Sequence, residues 1–188
     1  PDFLQQQLET KKGDVLEIPN ELKQLEEYDA IPRDLEHVEQ LSRPFSFSSN
    51  EGFKVSEHQG AHFYTIGQRK GLNIGGRPQP SFVIQTDTNE NIVYSGQTPE
   101  HRGLNRVALQ IEDDSMIFTR DEYQLNQGDT KRYSFRIRYR QSLQSGQIIA
   151  KESGTYVLFD ELQRGITPGQ FCAIYDGDTL IGSGIIKS

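Results

Sequence analysis

The C-terminal half of the chain constrains the fold most. Six short runs, RVALQIE, TKRYSFRIRYRQ, GQIIAKE, TYVLFDE, GQFCAIYDG and DTLIGSGII, follow one another between residues 106 and 186. Turn signals separate them about every ten residues, a spacing too short for stable helices and well matched to strands. Side chains on a strand alternate between faces, so runs of this kind bury one side and solvate the other. With no helical crossover between them, such strands are expected to close into a small antiparallel barrel. The sequence therefore predicts a mainly β protein in which residues 104–188 form a β-barrel domain.

Residues 1–103 are expected to form a second small β domain, with the boundary in the polar, turn-rich TPEHRGLNR. Strands are predicted at VLEI, PFSFSS, GFKVSEH and HFYTIGQ, and SFVIQTDTNENIVYSG reads as a hairpin turning at Thr86–Asn91. Asp2 is a candidate N-cap for a helix over residues 2–9. An acidic helical insertion occupies about residues 20–50. There Leu22, Leu25 and Tyr28 fall at helical spacing, as do Leu35, Val38 and Leu41, with Pro32 between the two sets. Only 34% of residues are hydrophobic and 25% are charged, which favours two modest cores over one large one.

The chain opens on Pro1 and runs directly into FLQQQL, so it is expected to be a piece of a longer protein. It has one cysteine, no apolar leader and no run approaching the ~20 apolar residues of a membrane span; a cytoplasmic setting with no membrane partner is expected.

A net charge of −7 argues at first against a nucleic-acid partner, but the acid is unevenly spread. Residues 1–50 carry 5 basic and 11 acidic side chains, whereas Lys131 to Arg140 holds five basic residues and no acid. Local potential, not total charge, attracts a phosphate backbone. Read as one strand, KRYSFRIRYRQ sets Arg132, Ser134, Arg136, Arg138 and Arg140 on one face, and Tyr133, Phe135, Ile137 and Tyr139 on the other. A row of guanidinium forks suits phosphate oxygens, and Tyr139 near the strand end offers a surface for a base. The same pattern also fits a solvated barrel face.

YTIGQRKGLNIGG (64–76) places four glycines around Arg69 and Lys70, which fits either an anion-binding loop or a set of tight turns. It lacks the Gly-Lys-Ser/Thr ending of a phosphate loop. His58 and His62 flank Gly60 without a following Glu, so no metal site is expected. Cys172, in FCAIY, reads as a small buried hydrophobe and not as a reactive thiol. No residue is a candidate catalyst.

HFYTIGQRKGLNIGG closely resembles a signature run of the tRNA-specific 2-thiouridylases. FLQQQLETKKGDVLEI, FVIQTDTNENIVYSGQ, FRIRYRQ and ITPGQFCAIYDGDTLIGSGII are similar to further segments of that family, in the same order. The resemblance implies a central β-roll or SH3-like domain followed by a six-stranded, translation-factor-like barrel. It implies tRNA as partner, with Arg138, Tyr139 and Gln170 at positions of tRNA contact, Arg140 and Arg136 beside them, and Arg69 and Lys70 as further candidates. For the parent enzyme it implies ATP- and Mg2+-dependent exchange of the C2 oxygen of a wobble uridine for sulfur. A sulfur-relay protein or cysteine desulfurase would be the donor, and the catalytic domain would lie outside this chain, which would need no cofactor and be inactive alone. A protein-binding barrel and a piece of an RNA methyltransferase are the alternatives. Asn73 stands where the family usually has glycine, and Ser183 interrupts a glycine run.

Overall fold

The computed structural model describes residues 11–188, so the helix expected over residues 2–9 lies outside the described residues. The chain divides into two compact units, one built from residues up to Glu27 with Phe45–Leu104, the other from Tyr28–Pro44 with Asn105–Ser188. Residues 28–44 thus pack with the barrel, although the sequence reading grouped the whole acidic insertion with the first domain.

In the first unit, β1 (Gly13–Glu17), β2 (Phe53–His58), β3 (Ser81–Asp87) and β4 (Ile92–Gln97) form a four-stranded sheet in the order β2-β1-β4-β3. The predicted hairpin is β3–β4, while β1 runs parallel to β4, a pairing that no local pattern signals. The sheet buries Val15, Val83 and Val93 on one face and Leu16, Phe82 and Tyr94 on the other. Leu25 from helix α1 (Lys23–Asp29) completes the second cluster. Two expected strands do not form. PFSFSS is irregular, and HFYTIGQ enters a single 3-10 turn at Ala61–Phe63 and then a loop.

Two segments of the same pattern, Glu57-His58-Gln59-Gly60 and Glu100-His101-Arg102-Gly103, adopt one local arrangement that the sequence reading overlooked. In each, the histidine Nδ1 accepts the amide of the glycine two residues on, at 2.9 and 3.1 Å. Nδ1 is therefore unprotonated, and Nε2 donates to a backbone carbonyl, that of Asn91 at 3.1 Å or of Ile18 at 3.0 Å. Burial holds both rings below the ordinary imidazole value. His58 is thus a brace for the chain.

The second unit contains β5 (Asn105–Ile111), β6 (Ile117–Phe118), β7 (Thr130–Arg136), β8 (Gln144–Lys151), β9 (Gly154–Arg164), β10 (Phe171–Asp176) and β11 (Thr179–Ile185). Their order is β5-β9-β8-β7-β10-β11-β6. An antiparallel bridge between Ile111 and Ile186 joins β5 to the end of β11. Bonds from Glu112 N to Ile185 O (2.7 Å) and from Lys187 N to Gln110 O (2.9 Å) flank it, closing the six long strands into a barrel. Gly184 lies at this seam, where a Cβ would collide with Ile111. The interior holds Leu109, Phe135, Ile148, Val157, Phe159, Cys172, Ile174 and Ile181. Full burial of each large apolar side chain contributes about 1.5–3 kcal/mol.

Residues 28–44 carry the five-residue helix α2 (Val38–Ser42), which packs on β5 and β9. Tyr28 Oη fastens this segment, donating to Leu41 O (3.0 Å) and accepting from Val107 N (2.9 Å). Arg106 is buried beside it and donates to Ser42 O at 2.5 Å.

Candidate nucleic-acid interface

The arginine row of the sequence reading is not one strand. Pairing between β7 and β8 ends at Phe135–Gln144, and β7 itself ends at Arg136. Alternation survives as far as Ile137, with Phe135 and Ile137 buried and Arg136 outside. The chain then turns, so Arg138, Tyr139 and Arg140 sit in the hairpin loop. Tyr139, which a single strand would set on the face opposite the arginines, is 88% exposed in this loop.

Glutamine side chains build this turn in place of the usual glycine or proline. Gln141 N donates to Arg138 O at 3.2 Å, and Gln141 Oε1 accepts from Ile137 N at 3.1 Å. Gln141 Nε2 in turn donates to Oε1 of the buried Gln163 at 2.8 Å. Gln163 Nε2 donates to Gln144 Oε1 (3.1 Å) and Glu161 O (3.0 Å), which ties both ends of the loop to β9. Neither Gln141 nor Gln163 stood out in the sequence, because nothing local marks a glutamine as buried.

Opposite the loop, Thr167-Pro168-Gly169-Gln170 makes a tight turn closed by Gln170 N to Thr167 O at 3.3 Å. Gly169 has φ +80°, as the third position of a type II turn requires, and proline pre-sets the position before it. The turn delivers an exposed Gln170 to the start of β10. Along β10, Cys172 and Ile174 point into the core, leaving Phe171, Ala173 and Tyr175 on the outer side.

Between these two walls lies an open cleft of about 690 Å³. Arg136, Arg138 and Tyr139 form one side; Gln170, Phe171 and Tyr175 form the other. Four of the predicted residues, Arg136, Arg138, Tyr139 and Gln170, are thus brought together. Arg140 is exposed outside the cleft lining. Arg69 and Lys70 belong to the other unit; Arg69 lines a cleft of about 340 Å³ there, and Lys70 does not. In that loop Gly67, Gly71 and Gly76 have positive φ, and Asn73 adopts φ +49°, a conformation that asparagine tolerates. Arg77 nearby is held by Glu17, its Nε donating to Oε2 at 2.9 Å.

The electrostatics of the barrel cleft are those of an incomplete anion site. Arg132 is neutralised by Asp160 (2.5 Å), which removes it from the row. Among the described residues Arg136, Arg138 and Arg140 make no ion pair with a carboxylate. Arg136 Nε and Arg138 Nη2 are buried donors with no acceptor. Such orphans cost about 1–3 kcal/mol each, a cost that an oxyanion held by the same guanidinium groups, which line the cleft, would offset. Partial burial, followed by the neighbouring Arg164 charge, pushes the Arg138 guanidinium below its ordinary value, another penalty that an anion relieves. The Arg136 guanidinium lies 5.3 Å from the Tyr175 ring centre, which fixes its direction. Residues 28–44 do not contribute to the cleft lining.

Cys172 is fully buried and its thiol is pushed up to about 12. Among the described residues no group of three His, Cys, Asp or Glu side chains could hold a metal ion, and no helix is long and apolar enough to cross a membrane.

Two family models match the chain: a tRNA methyl transferase PRC-barrel domain over residues 36–97 and an aminomethyltransferase beta-barrel domain over residues 114–186. The chain is similar to a tRNA-specific 2-thiouridylase MnmA of Christiangramia forsetii, at 43% identity over its full length and 48% of the relative. It is 39% identical to a protein of the same name from Flavobacterium johnsoniae, again over its full length and 48% of the relative. A third, from Shouchella clausii, is 37% identical over 77% of the chain and 39% of the relative. The chain spans about half the length of the first two of these curated relatives, and the match lies in their C-terminal half.

Proposed function

The chain belongs to the tRNA-specific 2-thiouridylase family, and on that premise we propose that its barrel cleft grips tRNA for an enzyme that thiolates C2 of a wobble uridine. The observation that carries this reading is the pair of buried, acceptor-less guanidinium donors, Arg136 Nε and Arg138 Nη2, beside the exposed ring of Tyr139. Phosphate oxygens would satisfy the arginines, Tyr139 would lie against a base or sugar, and Gln170 would donate or accept at the cleft mouth. Arg140 would add a screened charge at the rim, and Arg69 and Lys70 a second, weaker phosphate contact from the central unit. The setting would be the cytoplasm, where tRNA is modified.

ATP, Mg2+ and a sulfur-relay protein or cysteine desulfurase would act on the half of the enzyme that this chain does not span. The residues here do not fit Mg-ATP, since the glycine-rich run lacks a Lys-Ser/Thr ending and the described residues offer no carboxylate cluster. Adenylation and sulfur transfer would then fall to that other half. Methyl transfer, named in the description of the family model over residues 36–97, has no cofactor loop between a strand and a helix among the described residues.

Titration of tRNA with the chain tests the proposal. Arg138→Ala combined with Arg140→Ala should weaken binding at low salt, and equal binding by both proteins would overturn the assignment of this face.

A further inference from the structure

We propose that the barrel cleft takes one unstacked RNA base, with Phe171 as its stacking platform. The inference rests on the reading of this cleft as RNA-facing and goes beyond it by naming what enters: a splayed-out nucleotide, not the wall of a duplex.

Phe171 is 63% exposed although it opens a strand whose next residue, Cys172, is fully buried. The parity of β10 puts Phe171 in one outer row with Ala173 and Tyr175, and the small Ala173 leaves space between the two rings. Register ties this row to the arginines. Ala173 stands opposite Arg136, so an antiparallel continuation would bring Arg138 opposite Phe171, and both side chains do line the cleft. Tyr175 is already occupied by the Arg136 guanidinium, whereas Phe171 makes no ring or cation contact among the described residues.

The cleft thus offers a free aromatic face beside two arginine donors without acceptors. That pairing matches a single nucleotide, whose base presents a π-face and whose phosphate presents oxygens. Its volume of about 690 Å³ suits a ligand of nucleotide size. Bases within an A-form helix are stacked on both sides and could not reach the ring. An apolar peptide would cover Phe171 but bring no anion to the Arg136 and Arg138 guanidinium groups that line the cleft.

The test uses the full chain and two RNA hairpins that differ in one position: a bulged nucleotide, or the same bulge made abasic with its phosphate intact. The wild type should bind the bulged hairpin roughly tenfold more tightly, the scale of one base–aromatic stack. Phe171→Ala should abolish that preference without changing affinity for the abasic hairpin. The chain contains no Trp, so Phe171→Trp supplies a single fluorophore; it should retain the preference and be quenched by the bulged hairpin alone. Arg138→Ala should weaken both hairpins alike. Should Arg138→Ala weaken both while Phe171→Ala leaves the preference intact, or Phe171→Trp stay unquenched, the stacking proposal is overturned and the RNA-facing cleft stands. Indifference of both hairpins to Arg138→Ala, or no binding by the wild type, overturns the two together.

Discussion

Replacing Gln163 with Leu removes the side chain that holds the arginine loop without touching any arginine. Leu is of similar size, so the 2%-exposed site keeps its packing and loses its polar links. Three hydrogen bonds disappear: one accepted from Gln141 Nε2 and two donated, to Gln144 Oε1 and Glu161 O. Gln141 and Gln144 are only half-buried and can turn toward water, so each broken link costs nearer the low end of the range for an unsatisfied group, ~1 kcal/mol. The two glutamine links together give about 2 kcal/mol, equivalent to roughly a thirtyfold rise in local opening. The two compact units need not unfold together, so a global midpoint would blur this effect. Native-state hydrogen exchange is the better assay, read at the Ile137 amide, which donates to Gln141 Oε1. Protection there should fall roughly thirtyfold while that of Ile148 in β8 changes little. RNA affinity should fall as well, although Arg136, Arg138 and Tyr139 are all present. Unchanged protection at Ile137, or a uniform loss across the barrel, would refute the view that the glutamine relay positions this loop.

Other consequences follow from buried polar groups. Tyr28→Phe orphans both the Leu41 carbonyl and the Val107 amide, and should destabilise the second unit by about 2–4 kcal/mol in urea titration. A shift in midpoint equivalent to less than about 0.5 kcal/mol would contradict the role given to its hydroxyl. The two EHxG histidines make the first unit acid-sensitive. Their folded values lie below the ordinary 6.5, so on acidification the unfolded chain takes up protons first. Stability should be full above pH 6.5 and decline as pH falls toward the depressed folded values, and Asn or Gln at either position should flatten that dependence. A flat pH profile for the wild type between neutrality and pH 5, about 1.5 units below an ordinary imidazole, would count against the neutral Nε2–H assignment.

Much of the barrel was legible because its strands announce themselves by period and by the turns between them. β8, for example, alternates buried Gly146, Ile148 and Ala150 with half-exposed neighbours, and TPGQ declares its turn through Pro168 and Gly169. Where sequence reading failed, the deciding interactions are distant along the chain. The hairpin after β7 bends on Gln141 and Gln163, 22 residues apart, so nothing local separates RYRQ from the strand before it. Residues 28–44 belong with the barrel because Tyr28 meets Val107, 79 residues away. HFYTIGQ has the composition of a strand but begins beside Gly60 at φ +144° and curls into a 3-10 turn. The outward position of Phe171 is legible in the sequence. With Cys172 and Ile174 assigned to the core, parity alone puts Phe171 outside, and an exposed phenylalanine beside a basic turn asks for a ligand.

The salt dependence of tRNA binding tests the central claim most directly. Each arginine that neutralises a phosphate releases counterions, so removing one such arginine should make the slope of log K against log salt shallower by roughly one. Arg136→Ala and Arg138→Ala should each reduce the slope. Arg132→Ala, whose guanidinium is already paired with Asp160, should leave it unchanged. Slopes indistinguishable among all three variants and the wild type would contradict the cleft as the phosphate-gripping face.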